Sequence, residues 1–341
     1  MPIYRRRGIP MLDFMAMLAG LRDAVERALG PVIAVTAERK LKQRVHRVGL
    51  ATAAGERSIV VKRFDAPVAY GTRLLAERWL PAVGLGDCGP PLLATGADPE
   101  GRWVWQVQED LGEQTVCDRQ HDARAVSAVA ELAATLHARF VRHPMLPECR
   151  LWLGERGATY LESSARDASV AVAELLSAGA VPTDREELAG RLAARLHALD
   201  RELPDRANAL TRWGGPETQV HGDLWTTNAF VAADGRARLI DWDRAGVGPG
   251  AYDVSALLYR FAAGERPAVL AAYRAALDRL GVELPGDDAF AAACESAEYA
   301  RICVRVVWPA AALRTGADDW AWTELETVDS WFGELEPVLA R

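Results

Sequence analysis

The chain has 341 residues, half of them hydrophobic, enough for one large bipartite domain or two modest ones. Its 40 Lys and Arg against 47 Asp and Glu leave a net charge of −7, without the basic surplus that nucleic-acid backbones call for. Five scattered cysteines, Cys88, Cys117, Cys149, Cys294 and Cys303, show no CxxC spacing. Neither a disulfide framework nor a zinc site is therefore expected, and a reducing cytoplasm is. No stretch reaches the roughly 20 apolar residues of a membrane span, so no membrane partner is expected.

Arg5-Arg6-Arg7 ahead of apolar residues imitates a secretory leader, but Asp13 interrupts the run and no small-residue cleavage site is evident. Met11, Met15, Leu18, Leu21, Val25 and Leu29 recur at helical spacing, which predicts an amphipathic helix packing on the first lobe of the fold. Beyond Gly30-Pro31, Val32–Val35 predicts a short strand and Thr36–Lys42 a polar connector. Gln43–Thr52 and Ser58–Phe64 complete a three-strand meander. Tyr70–Val83 reads as a helix with Leu74, Leu75, Trp79 and Leu80 on its apolar side. Two Gly/Pro-rich breaks precede a strand from Trp103 that ends in Glu109-Asp110-Leu111-Gly112. Helices are predicted at Ala123–Arg139, Ala158–Leu176 and Glu186–Leu199. His137 and His197 stand near two of these ends without metal spacing, and both read as structural.

The most informative stretch is Val220–Asp243. It contains His221-Gly222-Asp223, four residues, Asn228, then strands Ala229–Val231 and Ala237–Ile240 around an Asp234-Gly235 turn, and Asp241. A hairpin puts Asn228 and Asp241 at one end, with Asp223 on the loop that feeds it. Oxygen donors are what Mg²⁺ selects. The spacing matches phosphoryl transfer: Asp223 accepts or orients the acceptor hydroxyl's proton, and Asn228 and Asp241 hold the metal. Either fragment alone reads equally well as a surface turn with a capping Asp. Both in order around a hairpin favour the site. On that reading Lys62, at the end of the third strand, neutralises the nucleotide phosphates. Glu77, fifteen residues on, is its natural partner and Asp65 the nearest competitor. Each also fits an ordinary exposed position.

His221 to Asn228 (HGDLWTTN), Leu239 to Asp243 (LIDWD) and Gly250 to Ser255 (GAYDVS) resemble the aminoglycoside phosphotransferase family. The resemblance runs from about Val32 onward, with only this core specific. It implies an α+β, protein-kinase-like two-lobed fold with a small β-rich N-lobe over 31–108. The helix in 1–30 would pack on that lobe, 109–112 would be the hinge, and 113–341 a larger, mainly helical C-lobe. It implies ATP (or GTP) held by backbone around Glu109 and Leu111, Mg²⁺, and transfer of the γ-phosphate to a hydroxyl of a small molecule. His221 would pack beneath the catalytic loop, and Asp253 would fix that loop or N-cap the helix Val254–Ala263.

The connector Thr36–Lys42 has no glycine where the family is often glycine-rich, leaving Arg39 or Lys40 to meet phosphates by charge. The resemblance places the acceptor near Trp225, Glu295, Glu298, Asp318 and Trp322. Carboxylates between aromatic walls suit an amine-bearing or sugar acceptor. The same residues read as a solvated acidic face over core tryptophans, and Trp225 divides evenly between pocket wall and core. An antibiotic, aminoglycoside-like acceptor is the first expectation, conferring antibiotic resistance. A metabolic sugar, fructosamine or amino-alcohol kinase is the alternative, and a regulatory nucleotide-binding pseudokinase the rival of another class. A protein acceptor is disfavoured, because no APE-like segment comes after Asp241.

Overall fold

Three strands joined by tight turns begin the antiparallel sheet, and two later strands complete it in the order β1-β2-β3-β5-β4. The strands are β1 (Val32–Lys42), β2 (Val45–Thr52), β3 (Gly55–Asp65), β4 (Leu92–Ala97) and β5 (Trp103–Glu109). The computed structural model describes residues 21–339 apart from 99, 121, 180, 317 and 318. Helix α1 (residues 21–29) lays Leu21 and Val25 on the sheet against Val48, Leu50, Ile59, Val61 and Trp105. Gly96 makes room for this contact, since a Cβ there would meet Leu21 at 2.5 Å. The earlier half of the expected N-terminal helix, with Met11, Met15 and Leu18, lies outside the described residues.

The expected connector Thr36–Lys42 is instead strand. β1 pairs with β2 along its whole length, and register shifts at 32/34, 35/37 and 40/42 absorb the polar stretch as bulges. β2 alternates, burying His46, Val48, Leu50 and Thr52, which anchors the exposed β1 despite its weak pattern.

After β3 the chain forms α2 (Ala66–Leu74), a π turn over Leu75–Trp79 and a last α turn, α3 (Leu80–Ala82). Pro81 lacks the N–H that would bond the Glu77 carbonyl and its ring crowds that group. The helix widens just before it, and the Leu80 N–H reaches back to Leu75. Trp79 and Leu75 are fully buried beneath this turn. A buried polar tie holds α2 to the sheet: Gln106 Nε2 donates to the Ala69 carbonyl at 2.8 Å and meets Thr72 Oγ1 at 3.1 Å.

These elements, with residues 147–153 and 226–245, make one of two units. The hairpin β7 (Ala229–Val231) and β8 (Ala237–Leu239), expected on the large-lobe side, clusters with the sheet, and Leu239 N–H donates to Cys88 O at 2.7 Å.

The second unit contains residues 133–146, 154–225 and 246–341. Helix α4 (Ala123–Phe140) begins in the first unit and ends in the second, and α5 (Leu146–Leu153) lies mostly in the first. α6 (Ala158–Ser177), α7 (Glu186–Trp213), α10 (Asp287–Leu313) and α11 (Asp319–Glu334) bury a core that includes Leu175, Leu192, Leu196, Ile302, Val306 and Leu325. Each such side chain stabilises the fold by about 1.5–3 kcal/mol. α7 runs fourteen residues past the expected Leu199, through Pro204, because Ala207, Ala209 and Leu210 continue its buried stripe. A two-stranded ribbon, β6 (Glu217–Val220) with β9 (Gly246–Pro249), and helices α8 (Ala251–Leu258) and α9 (Arg266–Arg279) complete the unit. Four cysteines are buried and free, and Cys117 is exposed and free. Among the described residues no helix is long and apolar enough to cross a membrane.

Candidate active site

In the first unit the site grows from β3 and the β7–β8 hairpin. Alternation along β3 turns Ile59 and Val61 to the core under α1 and Val60 and Lys62 to the opposite face, where Lys62 lines the cleft only 6% exposed. A buried ammonium needs a carboxylate, and it has one: Lys62 Nζ donates to Asp241 Oδ1 at 2.6 Å. Asp241 comes just after β8 in the left-handed conformation (φ 68°, ψ 50°). A non-glycine residue pays strain for that geometry, of the sort found where position matters more than ease. Asn228 ends a 3-10 turn at the start of β7, is buried, and its carbonyl accepts the Ile240 N–H at 2.9 Å. The hairpin thus brings Asn228 and Asp241 to one end. With Lys62 they line a cleft of about 440 Å³ whose far wall is Glu109–Gly112.

Burial raises the Asp241 pKa, but the charge and hydrogen bond of Lys62, and then Lys42, outweigh it and bring it down to about 2. Lys42 Nζ lies 3.4 Å from Asp241 Oδ2. The basic side chain that reaches this carboxylate is therefore Lys42, at the β1–β2 turn. Arg39 also lines the cleft while pairing with Glu113, and Lys40 is not part of it. Bulging between Lys40 and Lys42 sets which residue points inward.

Glu77 does not meet Lys62. It is exposed on the π turn and accepts from Arg73 Nε at 2.8 Å. Widening of the helix ahead of Pro81 turns it to solvent. Asp65, the competitor, pairs with Arg44.

Gly112 takes φ +100°, a turn that glycine permits without strain. Arg47 of β2 clamps this segment, bonding the Gly112 carbonyl at 2.6 Å and Asp110 Oδ1 at 2.9 Å. Ser58 Oγ adds a 2.6 Å bond to Asp110 Oδ2. Glu109 and Leu111 are held at the cleft wall by neighbours the sequence did not single out.

In the second unit, β6 leads into His221-Gly222-Asp223. His221 is fully buried, and the Asp223 N–H approaches its Nδ1 at 3.3 Å. Asp253 does not cap its helix, whose N-cap is Gly250. It sits inside the first turn and sends its carboxylate to the loop, accepting from the His221 N–H at 2.6 Å and the Gly222 N–H at 2.8 Å. Burial raises its pKa, but the hydrogen bond and charge of His137, with His221, hold it below the ordinary carboxylate value.

Two residues join this network that the sequence did not tie to the loop: His137, read there only as structural, and Arg301. His137 bridges Asp253 (Nε2, 3.1 Å) and the Tyr273 hydroxyl (Nδ1, 2.7 Å). Arg301 donates to the Gly222 carbonyl at 3.0 Å and the Tyr252 carbonyl at 2.6 Å. Neither lies near the loop in sequence. Replacing Asp253 by Asn is expected to leave backbone donors unsatisfied, lowering stability by about 1–3 kcal/mol. Thermal melting and turnover should fall together.

The expected acidic acceptor set is not assembled. Glu298 is buried between Arg301 (3.0 Å) and Arg260 (3.5 Å). Glu295 accepts from the Val338 N–H, and Trp322 is part of the helical core. Asp318 lies outside the described residues. Only Trp225 is half-exposed on the loop itself.

The model of the phosphotransferase enzyme family matches residues 44–291, and the chain belongs to that family. No curated protein sequence matches the chain. Among solved structures it is similar to the ethanolamine kinase of Plasmodium vivax, at 11% identity and TM-score 0.61, covering 92% of this chain and 87% of that one. It is also similar to the choline kinase LicA of Streptococcus pneumoniae, at 15% identity and TM-score 0.55, covering 94% and 100%. An aminoglycoside phosphotransferase of Streptomyces rimosus, solved with ADP and streptomycin, matches at 18% identity and TM-score 0.53, covering 87% and 100%. The fold is kinase-like and of the α+β class, and the chain is a small-molecule phosphotransferase.

Proposed function

We propose that the chain moves the γ-phosphate of ATP (or GTP) to a hydroxyl of a small molecule. The observation that carries this is the Lys62–Asp241 ion pair, which lines one cleft with Asn228 and the Glu109–Gly112 backbone. In this reading Lys62 binds the phosphates and the Glu109 and Leu111 backbone binds the base. Asp223, five positions before Asn228, takes or orients the proton of the acceptor hydroxyl. The hydroxyl oxygen then bonds to the γ-phosphorus as the bond to the bridging oxygen breaks, and the nucleoside diphosphate leaves. His221 and Asp253 hold Asp223's loop in place.

Both Asp241 oxygens draw ammonium groups, so the position attracts positive charge. Its carboxylate and the Asn228 amide oxygen are the hard donors that Mg²⁺ takes when phosphates supply the rest of its shell. Asn228 and Asp241 would hold it, Lys42 giving way at the second oxygen. Bound there, Mg²⁺ neutralises phosphate charge. Chelating divalent ions with EDTA is expected to abolish turnover, and added Mg²⁺ to restore it, as read by nucleoside diphosphate release.

Of the two acceptor readings, the metabolic one is favoured over the aminoglycoside one. A polycationic antibiotic needs carboxylates to meet its amines, and Glu298 and Glu295 are committed to arginines and to backbone. Nucleoside diphosphate release against aminoglycosides, macrolides, sugars, amino alcohols and hydroxy acids tests both. Nucleotide binding without turnover on any acceptor would favour a pseudokinase.

A further inference from the structure

Beside the loop that carries Asp223, two guanidiniums and two indoles form one cluster. Arg260 Cζ lies 4.3 Å from the centre of the Trp225 ring, and Arg305 Cζ lies 4.9 Å from the same centre. Arg305 is also 4.9 Å from Trp331, and the two indoles meet edge to face at 6.0 Å. The four residues come from the loop, the turn after α8, α10 and α11. Trp225 is two residues from Asp223, and Arg301, one turn before Arg305, bonds the Gly222 carbonyl.

Two like charges over one indole repel each other. Burial is the largest influence on Arg260 and lowers its pKa; Glu298 and Asp223 offset this, while the Arg301 and Arg305 charges add to it. Three carboxylates face these guanidiniums, and one of them, Asp223, is the group proposed to take the acceptor's proton. Glu298 is buried and shared with Arg301. Glu324, 3.2 Å from Arg305, is one-third exposed and solvent-screened. Stacking engages the face of a guanidinium, whereas its N–H edge is shaped for the paired oxygens of a carboxylate or phosphate.

We propose that Arg260 and Arg305, stacked on Trp225 and Trp331, clamp an anionic group of the acceptor, so that the substrate is a hydroxyl compound carrying a carboxylate or phosphate. This rests on the phosphotransfer reading above and names its substrate class.

The test is a turnover panel with full-length protein, ATP and Mg²⁺. Gluconate and glycerate stand for carboxylates, glucose 6-phosphate for phosphates, and glucose, choline and kanamycin for neutral and cationic acceptors. Anionic acceptors are expected to exceed neutral ones by at least about tenfold in kcat/KM, and the carboxylate and phosphate arms identify the source of the anion. Arg305→Gln should raise the acceptor KM by about 10- to 100-fold, with kcat and the KM for ATP little changed. Glu324→Gln, at an exposed position, should lower the acceptor KM by loosening its hold on Arg305, the reverse of what a merely structural role predicts. Preference for neutral or cationic acceptors, or an acceptor KM unmoved in both variants, overturns the clamp. If nothing is turned over, the phosphotransfer reading fails. Calorimetric titration with gluconate and with glucose 6-phosphate then decides the clamp alone, and no heat with either overturns it.

Discussion

Asp223→Asn is expected to lower kcat about 10²- to 10⁴-fold, the range of a lost general base. Asparagine keeps the size of the side chain and cannot take a proton. The loop around it is pinned by other residues: His221 and Gly222 by Asp253, and the Gly222 carbonyl by Arg301. The substitution should therefore leave melting temperature and the KM for ATP unchanged. Single-turnover measurement of nucleoside diphosphate release isolates the step. If kcat survives while the protein melts normally, Asp223 is not the base. If melting falls as well, the loss is one of folding.

Asp241→Asn should be as damaging to turnover and also change how the fold responds to acid. Asparagine tolerates the left-handed backbone that Asp241 adopts, so the β8 turn survives. What is lost is the charge that holds buried Lys62 and attracts a divalent ion. Removing one such electrostatic contribution costs about 10²- to 10³-fold in kcat. In the wild type the carboxylate's folded pKa, about 2, lies below its ordinary 3.8. Its contribution to stability is therefore complete above about pH 4 and disappears as pH falls toward 2. That contribution is about 2 kcal/mol from the pKa difference. Denaturant unfolding at pH 5, 4 and 3 should show a steeper loss in the wild type than in Asp241→Asn. Parallel curves would mean that Lys62 and Asp241 are not paired in solution.

The chemistry near the hairpin was legible because it is local. Four residues between Asp223 and Asn228, a glycine turn and a later Asp are written along one stretch of chain. Lys62 was legible for a different reason, being the charged residue at the end of an apolar strand. The Glu77 expectation failed on a neighbour's backbone, since Pro81 opens the π turn that sends the carboxylate to solvent. The choice of Lys42 over Arg39 and Lys40 depends on bulges that β-propensity does not register. His137 reaches Asp253 across 116 residues and Arg301 reaches Gly222 across 79, beyond any local pattern. The acidic C-terminal region misled for the same reason. Arg191 and Arg195 meet Asp329 from another helix, and Arg185 meets Glu326 across a similar gap, whereas Arg301 meets Glu298 within α10. Counting carboxylates along the chain cannot reveal which are already matched.

Glu77's turn toward Arg73 has a consequence for control. In enzymes where a mobile helix must deliver a glutamate to the strand lysine, swinging that helix is the on–off lever. Here the lysine's counter-charge comes from the β8 turn, while Gln106 bolts α2 to β5. A shift of α2 would leave that ion pair in place.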